Sequence, residues 1–249
     1  MKLIINADDF GITSGVTYGI YDAIKNGVVT STTMMVNTQA SSLAAKLIKE
    51  NLEMAVGLHF NISIGYPLTS GKTLLINDKL IRPKDLPENY FYDEDELYLE
   101  LEAQYNRFIN LVGRKPTHID SHLYIHQNIP IVKKVVTRFS EIHDLPVRDI
   151  ITNYQDVYFE GNFKVKQGDN LKSMTHKFID ILDSCDDRDI VELMVHPGYI
   201  DYTIEHNSSY NYQRNLECNT LLSKEVKDYI DSKNISLISY RNVVKKSNG

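Results

Sequence analysis

The sequence predicts an α/β fold, specifically a closed or nearly closed (β/α) barrel of about seven parallel strands. Short apolar runs rich in β-branched residues alternate with amphipathic segments from end to end, which is typical of a parallel sheet covered by helices. Polar side chains follow several of these runs, at the edge where parallel strands end together. The length of 249 residues fits one barrel, so we expect a single domain over 1–249.

A doubly wound open sheet is the competing architecture. No GxGxxG motif follows the first predicted strand, which argues against the dinucleotide-binding version of that fold. No internal repeat, low-complexity tract or linker divides the chain. The barrel is therefore the preferred prediction.

Composition and charge argue against several classes of partner. The chain is 42% hydrophobic and 24% charged, its formal net charge is -6, and it contains no basic block, so nucleic acid is not an expected partner. It shows no signal-peptide pattern and no apolar run of the ~20 residues that a bilayer span needs. We therefore expect no membrane partner and a cytoplasmic location. Cys185 and Cys218 form no CxxC motif, and we expect both to be reduced and structural.

The first two elements are a strand and a helix. Residues 2–7 form an apolar run that stops at Asp-Asp-Phe-Gly, which predicts a buried strand followed by a turn. Apolar residues at helical spacing predict a helix over 14–26, and Asn26-Gly27 has the composition of a helix C-terminus.

The next elements repeat this alternation. Residues 28–36 are β-branched and apolar and predict the second strand. Apolar spacing predicts a helix over 41–49, and 54–60 reads as the third strand. The stretch 61–92 contains three prolines and is too long for a plain connection, so we expect a functional loop there.

The middle of the chain opens with a strongly periodic helix over 93–112. A short fourth strand is predicted at 117–120. The next helix is predicted over 129–143, because Pro130 is acceptable in a first helical turn. A fifth strand is predicted at 145–148, whereas the polar and aromatic stretch that follows has no pattern that we can place.

The last third of the chain returns to clear alternation. The remaining predictions are, in order, helix 171–185, strand 190–195, a polar loop over 200–211, helix 215–232, strand 235–239 and a short closing segment over 241–246.

Polar residues cluster at or just after the predicted strand ends. Because those ends meet at one edge of a barrel, residues that are distant in sequence are expected to converge there. The candidates are Asp8, Asp9, His59, Asp120, His122, His126, Arg148 and His196.

An aspartate with two histidines leaves coordination positions open for water and substrate, which suits catalytic Zn²⁺, Mn²⁺, Co²⁺ or Mg²⁺. Asp9, His59 and His122 are the candidate ligands. Because side chains alternate along a strand, we expect Asp8 and Asp9 to point in opposite directions. His126 would share a face with His122 if both lay on one helix. The alternative is a turn in which Asp9 caps the next helix, with the histidines structural.

His196 and Arg148 are the candidates for proton transfer and charge pairing. His196 opens a His-Pro-Gly sequence and is placed to act as a general acid; the alternative is a turn in which its ring bonds the backbone. Arg148 is a candidate partner that holds Asp8 ionised, as a base requires; the alternative is a surface salt bridge. Asp120, His126 and Arg148 are also candidates for contacts to the substrate or to the cation ligands. No role is assigned to His118, His143, His176 and His206.

Five segments resemble those of a known family. In chain order they are NADDFG, NGVVTSTTMMVN, VGLHFN, GRKPTHIDSHLYIH and MVHPGY. This ordered set resembles the ChbG/YdjC family of carbohydrate deacetylases over nearly the whole chain. The most similar branch is the bacterial one that removes acetyl groups from chitin disaccharide and related chitooligosaccharides.

The resemblance implies a deformed, polysaccharide-deacetylase-like (β/α) barrel, a small acetylated sugar as substrate, a divalent metal (Mg²⁺ in most descriptions of the family) and an assembly that in this family is often a homodimer. It places the metal histidines at His59 and His122 and the third ligand at Asp9. It places the catalytic base at Asp8 and the acid at His196.

The chain departs from the family's usual run of His-His-His-Val-His, because it has Leu123 and Tyr124 at the second and third positions. We expect the metal site to survive this change and any substrate-binding role of the replaced histidines to be altered. Residues 150–170 match no motif of the family, and we expect substrate choice to depend on them.

Two other functions stay open. One is a metal-dependent hydrolase or lyase on the same barrel that acts on a non-sugar amide or ester, since a fold does not determine a reaction. The other is a catalytically silent sugar-binding protein. The presence of a base candidate and an acid candidate argues against the second, because binding alone requires neither.

Overall fold

A computed structural model of the protein describes residues 1–246. These residues contain one seven-stranded sheet covered by α-helices. The strands are β1 (Lys2–Phe10), β2 (Ser31–Met34), β3 (Ala55–Phe60), β4 (Ile119–Ser121), β5 (Tyr158–Glu160), β6 (Ile190–Val195) and β7 (Ser236–Leu237). The helices are α1 (Ser14–Lys25), α2 (Ser41–Glu50), α3 (Glu94–Val112), α4 (Ile125–Asn128), α5 (Pro130–His143), α6 (Leu171–Asp183), α7 (Tyr202–Asn207), α8 (Tyr212–Leu222) and α9 (Lys224–Ser232).

The strands pair in parallel in the order β4-β3-β2-β1-β6-β5, and β7 pairs with the first residues of β1. The sheet curls into a half-barrel. Within residues 1–246 no pairing joins the two edge strands, β4 and β5. The predicted α/β fold with about seven parallel strands is therefore confirmed, and the barrel is incomplete.

Local chemistry explains where the best-predicted helices begin and end. The side chain of Thr13 accepts a hydrogen bond from the Val16 amide and starts α1. Asp93 does the same for two amides at the start of α3. Gly113 ends α3 with a φ of 85°, a left-handed conformation that glycine adopts without steric cost.

The predicted strand at 145–148 is wrong. Within this stretch only Val147 forms a β-bridge, and its partner is Ile119. The bridge consists of hydrogen bonds between the backbone of Ile119 and the residues on either side of Val147. β4 is three residues long and offers little edge to pair with, and Pro146 has no amide hydrogen to donate. The strand beside β6 is instead β5, which lies in the stretch that no local pattern placed.

Two predictions near the C-terminus also need correction. The predicted loop over 200–211 contains α7, whose first amides are capped by Asp201. The predicted helix over 215–232 is two helices, because Ser223 has an extended backbone and caps α9 with its side chain. β2 and β7 are shorter than predicted.

The interior of the half-barrel is layered along the strand direction. At the amino ends, Ile4, Ile190, Tyr240 and Val243 form a small apolar cluster that the C-terminal segment closes. Polar residues lie above it toward the carboxyl ends, whereas the other face of β1 packs against the helices in the main hydrophobic core. This layering leaves the carboxyl ends of the strands polar and open to a cavity.

Within the described residues, no helix combines the length and the apolar character that crossing a membrane requires.

Candidate active site

A cavity of about 1280 Å³ lies at the carboxyl ends of the strands. Its walls include both aspartates of the first strand, four of the predicted site residues from later in the chain, and parts of the 61–92 loop. The predicted site residues that line it are Asp8, Asp9, His59, His122, Arg148 and His196. Asp120 and His126 lie behind this wall and are fully buried.

Asp8 and Asp9 do not point in opposite directions, contrary to the alternation expected of a strand. Asp9 has a φ of 73°, and the pairing of β1 with β2 shifts register between Ala7 and Phe10. Such a bulge breaks the regular alternation of side chains. Both carboxylates therefore face the same cavity.

Asp9, His59 and His122 come together as predicted. Oδ1 of Asp9 lies 2.9 Å from Nδ1 of His122 and 3.2 Å from Nε2 of His59. One ligand atom from each residue lies within 4.8 Å of the others. A second group, Asp8, His59 and Asp120, meets the same criterion through shared His59.

A layer of hydrogen bonds fixes the ring of His59. Its Nδ1 lies 2.7 Å from Oδ1 of Asp120, and Oγ1 of Thr33 donates to Oδ2 of the same carboxylate at 2.9 Å. A carboxylate behind a histidine orients the ring and leaves Nε2 directed at the cavity side, an arrangement common at metal sites. Asp120 is thus a supporting residue of His59.

Arg148 holds Asp8, but in the interior and not as a surface salt bridge. Its two terminal nitrogens each donate to one oxygen of Asp8 at 2.7 Å. The same guanidinium lies 2.9 Å from Asp120 and 2.7 Å from Glu192, and it is 1% exposed. Its carbon Cζ also lies 5.2 Å from the ring centroid of Phe159. One side chain thereby links β4, β1, β6 and β5 across the interior.

Charge explains the ionisation of the ligand candidates. Burial by itself disfavours the charged form of Asp9, but Arg214 and His122 outweigh it and hold the pKa of this carboxyl well below its usual range. Burial also disfavours the charged form of His59, but the Asp120 carboxylate raises the pKa of its ring to about 10. A cation bound at Nε2 would take the place of the proton that this raised pKa favours, because a ligating histidine must be neutral.

The donor set fits a divalent cation. Four buried carboxylates (Asp8, Asp9, Asp120 and Glu192) face two buried guanidiniums, Arg148 and Arg214. Nε2 of His59 is buried and makes no hydrogen bond. A cation placed among Asp9, His59 and His122 would use this nitrogen and balance the excess of negative charge.

His196 lies at the end of β6 and lines the cavity. Its backbone amide donates to Glu217 at 2.6 Å, and Glu217 also accepts from the hydroxyl of Tyr210. Burial lowers the pKa of the His196 ring to about 4, although Asp8 and Asp9 act in the opposite direction. The ring is therefore neutral near pH 7. The His-Pro-Gly turn is held by the backbone amide of His196 and not by its ring.

His126 has a structural position. Its Nδ1 lies 2.6 Å from Oγ of Ser121, and its Nε2 lies 3.0 Å from the carbonyl oxygen of Arg148. It does not share a helix face with His122, because a short 3₁₀ turn ends between them and α4 begins at Ile125. His126 thus ties the segment carrying Arg148 to the end of β4.

The sequence interpretation missed three residues of helix α8 and the loop before it. Arg214 donates to Oδ2 of Asp9 at 2.6 Å, and Glu217 and Tyr210 support His196. Arg214 and Glu217 are nearly fully buried charged residues on a helix of weak amphipathicity. The one signal available in the sequence was a pair of charged residues, three positions apart, at helix positions where apolar residues are expected.

The unassigned histidines lie outside the site. His118 is buried and stacks on Tyr240, with ring centroids 3.6 Å apart. His143 stacks on Phe139, and His176 and His206 are exposed. His143 is only partly exposed.

The curled parallel sheet and the candidate site at its carboxyl edge define an α/β half-barrel protein. A family model described as YdjC-like protein matches residues 2–232. The chain belongs to this YdjC-like family, as its sequence segments predicted.

Curated relatives cover the whole chain. "Carbohydrate deacetylase 2" of Listeria innocua is 41% identical over 99% of this chain and 100% of its own length. "Carbohydrate deacetylase" of Clostridium beijerinckii is 36% identical over 98% of this chain and 100% of its own length.

Solved structures support the same fold. An Enterococcus faecalis protein, described as a candidate cellobiose-phosphate cleavage protein, matches with a TM-score of 0.85 at 28% identity over 96% of this chain and 97% of its own. A family 4 carbohydrate esterase of Streptomyces lividans matches with a TM-score of 0.53 at 10% identity over 100% of this chain and 98% of its own. The second likeness concerns the fold alone.

Proposed function

We propose that this protein uses a divalent cation to hydrolyse the N-acetyl group of a small acetylated amino sugar, such as chitin disaccharide or a chitooligosaccharide. It is a hydrolase of the carbohydrate deacetylase class, in agreement with its curated relatives. The observation that carries the proposal is that one cavity is lined by the three candidate cation ligands, the candidate base and the candidate acid. These residues are Asp8, Asp9, His59, His122 and His196.

Asp9, His59 and His122 would hold the cation. When bound, a divalent cation supplies Lewis-acid chemistry that polarises an acetyl carbonyl and makes water more acidic. The family resemblance favours Mg²⁺, and carboxylate and imidazole donors also accept Zn²⁺, Mn²⁺ or Co²⁺.

Asp8 is the general base in this proposal. Arg148 binds both of its oxygens and Asn6 donates to Oδ1 at 2.9 Å, so the carboxylate is fixed in orientation. Oδ2 keeps a lone pair for the proton of the attacking water, since only Arg148 bonds it. A fixed acceptor at the reacting water avoids the cost of orienting a mobile one.

His196 is the proton donor to the leaving nitrogen. Its ring is neutral near pH 7 in the free protein, because burial lowers its pKa to about 4. The proton that Asp8 takes from the attacking water would therefore pass to His196, which then donates it to the leaving nitrogen. The nearby carboxylates of Asp8 and Asp9 favour this charged state.

The test is acetate release from N,N′-diacetylchitobiose by metal-stripped protein, with Mg²⁺, Zn²⁺, Mn²⁺ or Co²⁺ added back one at a time. We expect release that depends on added cation. Simple acetylated amides and esters serve as the comparison panel. Release from the panel with none from the sugar would move the substrate to a non-sugar amide or ester, and sugar binding without any release would indicate a silent sugar-binding protein.

A cytoplasmic location, a homodimer and a single domain stay predictions of the sequence and the family resemblance.

A further inference from the structure

The segment directly after His122 has an unusual backbone. Leu123 has φ 57° and ψ 31°, and Tyr124 has φ 56° and ψ 28°. Two successive non-glycine residues in the left-handed region are strained, and such strain persists where the surrounding structure imposes it, often at ligand sites. The strained backbone places both side chains on the wall of the central cavity.

Leu123 presents apolar surface on the wall of the cavity, beside the candidate cation ligands. Its side chain is 42% exposed, although it follows a candidate cation ligand directly in sequence. An exposed leucine on an open surface needs no explanation, but one beside a candidate reaction centre is available to the bound molecule.

Tyr124 joins this position to the 150–170 stretch. Nζ of Lys164 lies 5.0 Å from the centroid of the Tyr124 ring, and the ring packs at an angle of 67° to Phe159. A Cβ atom at Gly161 would lie 3.3 Å from the Tyr124 hydroxyl, so the glycine permits this close approach. Lys164 also lines the cavity. Tyrosine and lysine thus form one wall that combines an aromatic ring with a hydrogen-bond donor.

We propose that Leu123, Tyr124 and Lys164 form a carbohydrate-binding subsite beside the candidate cation group. Pyranose rings have apolar C–H faces and hydroxyl edges, which match an exposed leucine and a partly buried tyrosine next to an ammonium group. This proposal rests on the proposed function and deepens it, because it assigns the sugar ring, and not the reacting acetyl group, to Leu123 and Tyr124.

The first measurement is direct binding, which needs no catalysis. Metal-stripped protein is titrated with N,N′-diacetylchitobiose in a calorimeter, for the unsubstituted chain, Leu123→Asn and Tyr124→Asn. Asparagine tolerates the left-handed backbone, so each variant removes the side-chain surface and keeps the turn. Leu52→Asn is the matched control, because Leu52 is 63% exposed and does not line the cavity.

We expect Kd to rise about tenfold in Leu123→Asn and in Tyr124→Asn, and to stay unchanged in Leu52→Asn. Equal affinity in all four proteins would overturn the subsite, and so would the absence of binding by the unsubstituted chain.

The second measurement separates sugar binding from positioning of His122. With cation added, KM for the disaccharide should rise about tenfold in both variants while kcat stays within about twofold. A fall in kcat with unchanged KM would instead assign the turn to the placement of His122 and overturn the proposal. If the unsubstituted chain binds the disaccharide but releases no acetate, the deacetylase proposal fails while the binding result still decides the subsite.

Discussion

At the scale of single residues, the candidate ligands Asp9 and His59 are each held by the protein through one atom and present another atom to the candidate cation position. Oδ1 of Asp9 faces both candidate histidines, while its Oδ2 is bonded by Arg214. Nε2 of His59 has no hydrogen bond, and Nδ1 of the same ring is fixed by Asp120. In Asp9 and in His59, one polar atom is thus held by the protein, and the other is available to a cation.

Replacing His122 should separate cation binding from folding. We expect His122→Ala to lose bound cation and acetate release while remaining folded, because this ring is partly exposed at 12% and packs at the cavity wall. His176→Ala, at an exposed histidine on α6, is the matched control. Metal analysis after gel filtration, circular dichroism and acetate release give the three readings. A metal-free His122→Ala protein with full activity would contradict the assignment.

Replacing Asp8 should separate proton transfer from cation binding. We expect Asp8→Asn to lower kcat about 10²- to 10⁴-fold, the usual range for a general base, because an amide does not accept the proton. Bound cation should be retained, since Asp9, His59 and His122 are intact. Asp156→Asn, at an exposed aspartate paired with Lys246, is the control. The base assignment fails if Asp8→Asn retains the kcat of the unsubstituted chain.

At the scale of elements, Arg148 connects strands across the interior where backbone hydrogen bonds do not. The edge strands β4 and β5 are three residues each and do not pair with each other within residues 1–246. The Arg148 guanidinium contacts carboxylates from β1, β4 and β6 and lies over the ring of Phe159 in β5. Because these charges are buried, removing the Arg148 guanidinium would leave the carboxylates without a positively charged partner.

We therefore expect Arg148→Met to lower the free energy of unfolding by about 3–5 kcal/mol, the usual cost of breaking a buried ion pair. Lys233→Met is the control, because Lys233 pairs with Asp183 at the surface and the usual value for such a pair is below about 1 kcal/mol. Urea unfolding monitored by circular dichroism measures both. Similar small losses in the two variants would show that the interior network contributes little to stability.

At the scale of the whole molecule, the interior holds histidines that burial keeps neutral. Burial lowers the pKa of His118 to about 3 and that of His126 to about 4. Both values lie below the unfolded value near 6.5. Each ring therefore contributes stability that is present above about pH 6.5 and is lost as pH falls toward the folded pKa, because only the unfolded chain takes up the proton.

His118→Phe tests this linkage away from the cavity. The aromatic replacement keeps a ring against Tyr240 and removes the titration. Between pH 7 and pH 5, the unsubstituted chain should lose about 2 kcal/mol more unfolding free energy than His118→Phe. His176→Phe, at an exposed histidine, should leave the pH dependence unchanged. Denaturant unfolding of the three proteins at the two pH values gives six free energies of unfolding, and parallel losses in all three proteins would refute the linkage.

The sequence by itself determined the α/β class, the positions of β1, β3 and β6, and the family. It also singled out Asp8, Asp9, His59, His122 and His196. Apolar runs, helical periodicity and polar residues at strand ends are local properties of a chain, so they can be recognised without a structure.

Only the tertiary structure decided the bulge at Asp9, the edge strand β5, and the partners Arg214, Glu217 and Tyr210. A bulge depends on pairing with β2, and a three-residue strand has too few residues to show alternation. The partners come from a helix about 200 residues after Asp9 in sequence, and their contact with the site follows from how the chain closes over β1 and β6. Physical proximity between such distant segments leaves no local pattern, because packing and charge compensation act through space and not along the chain.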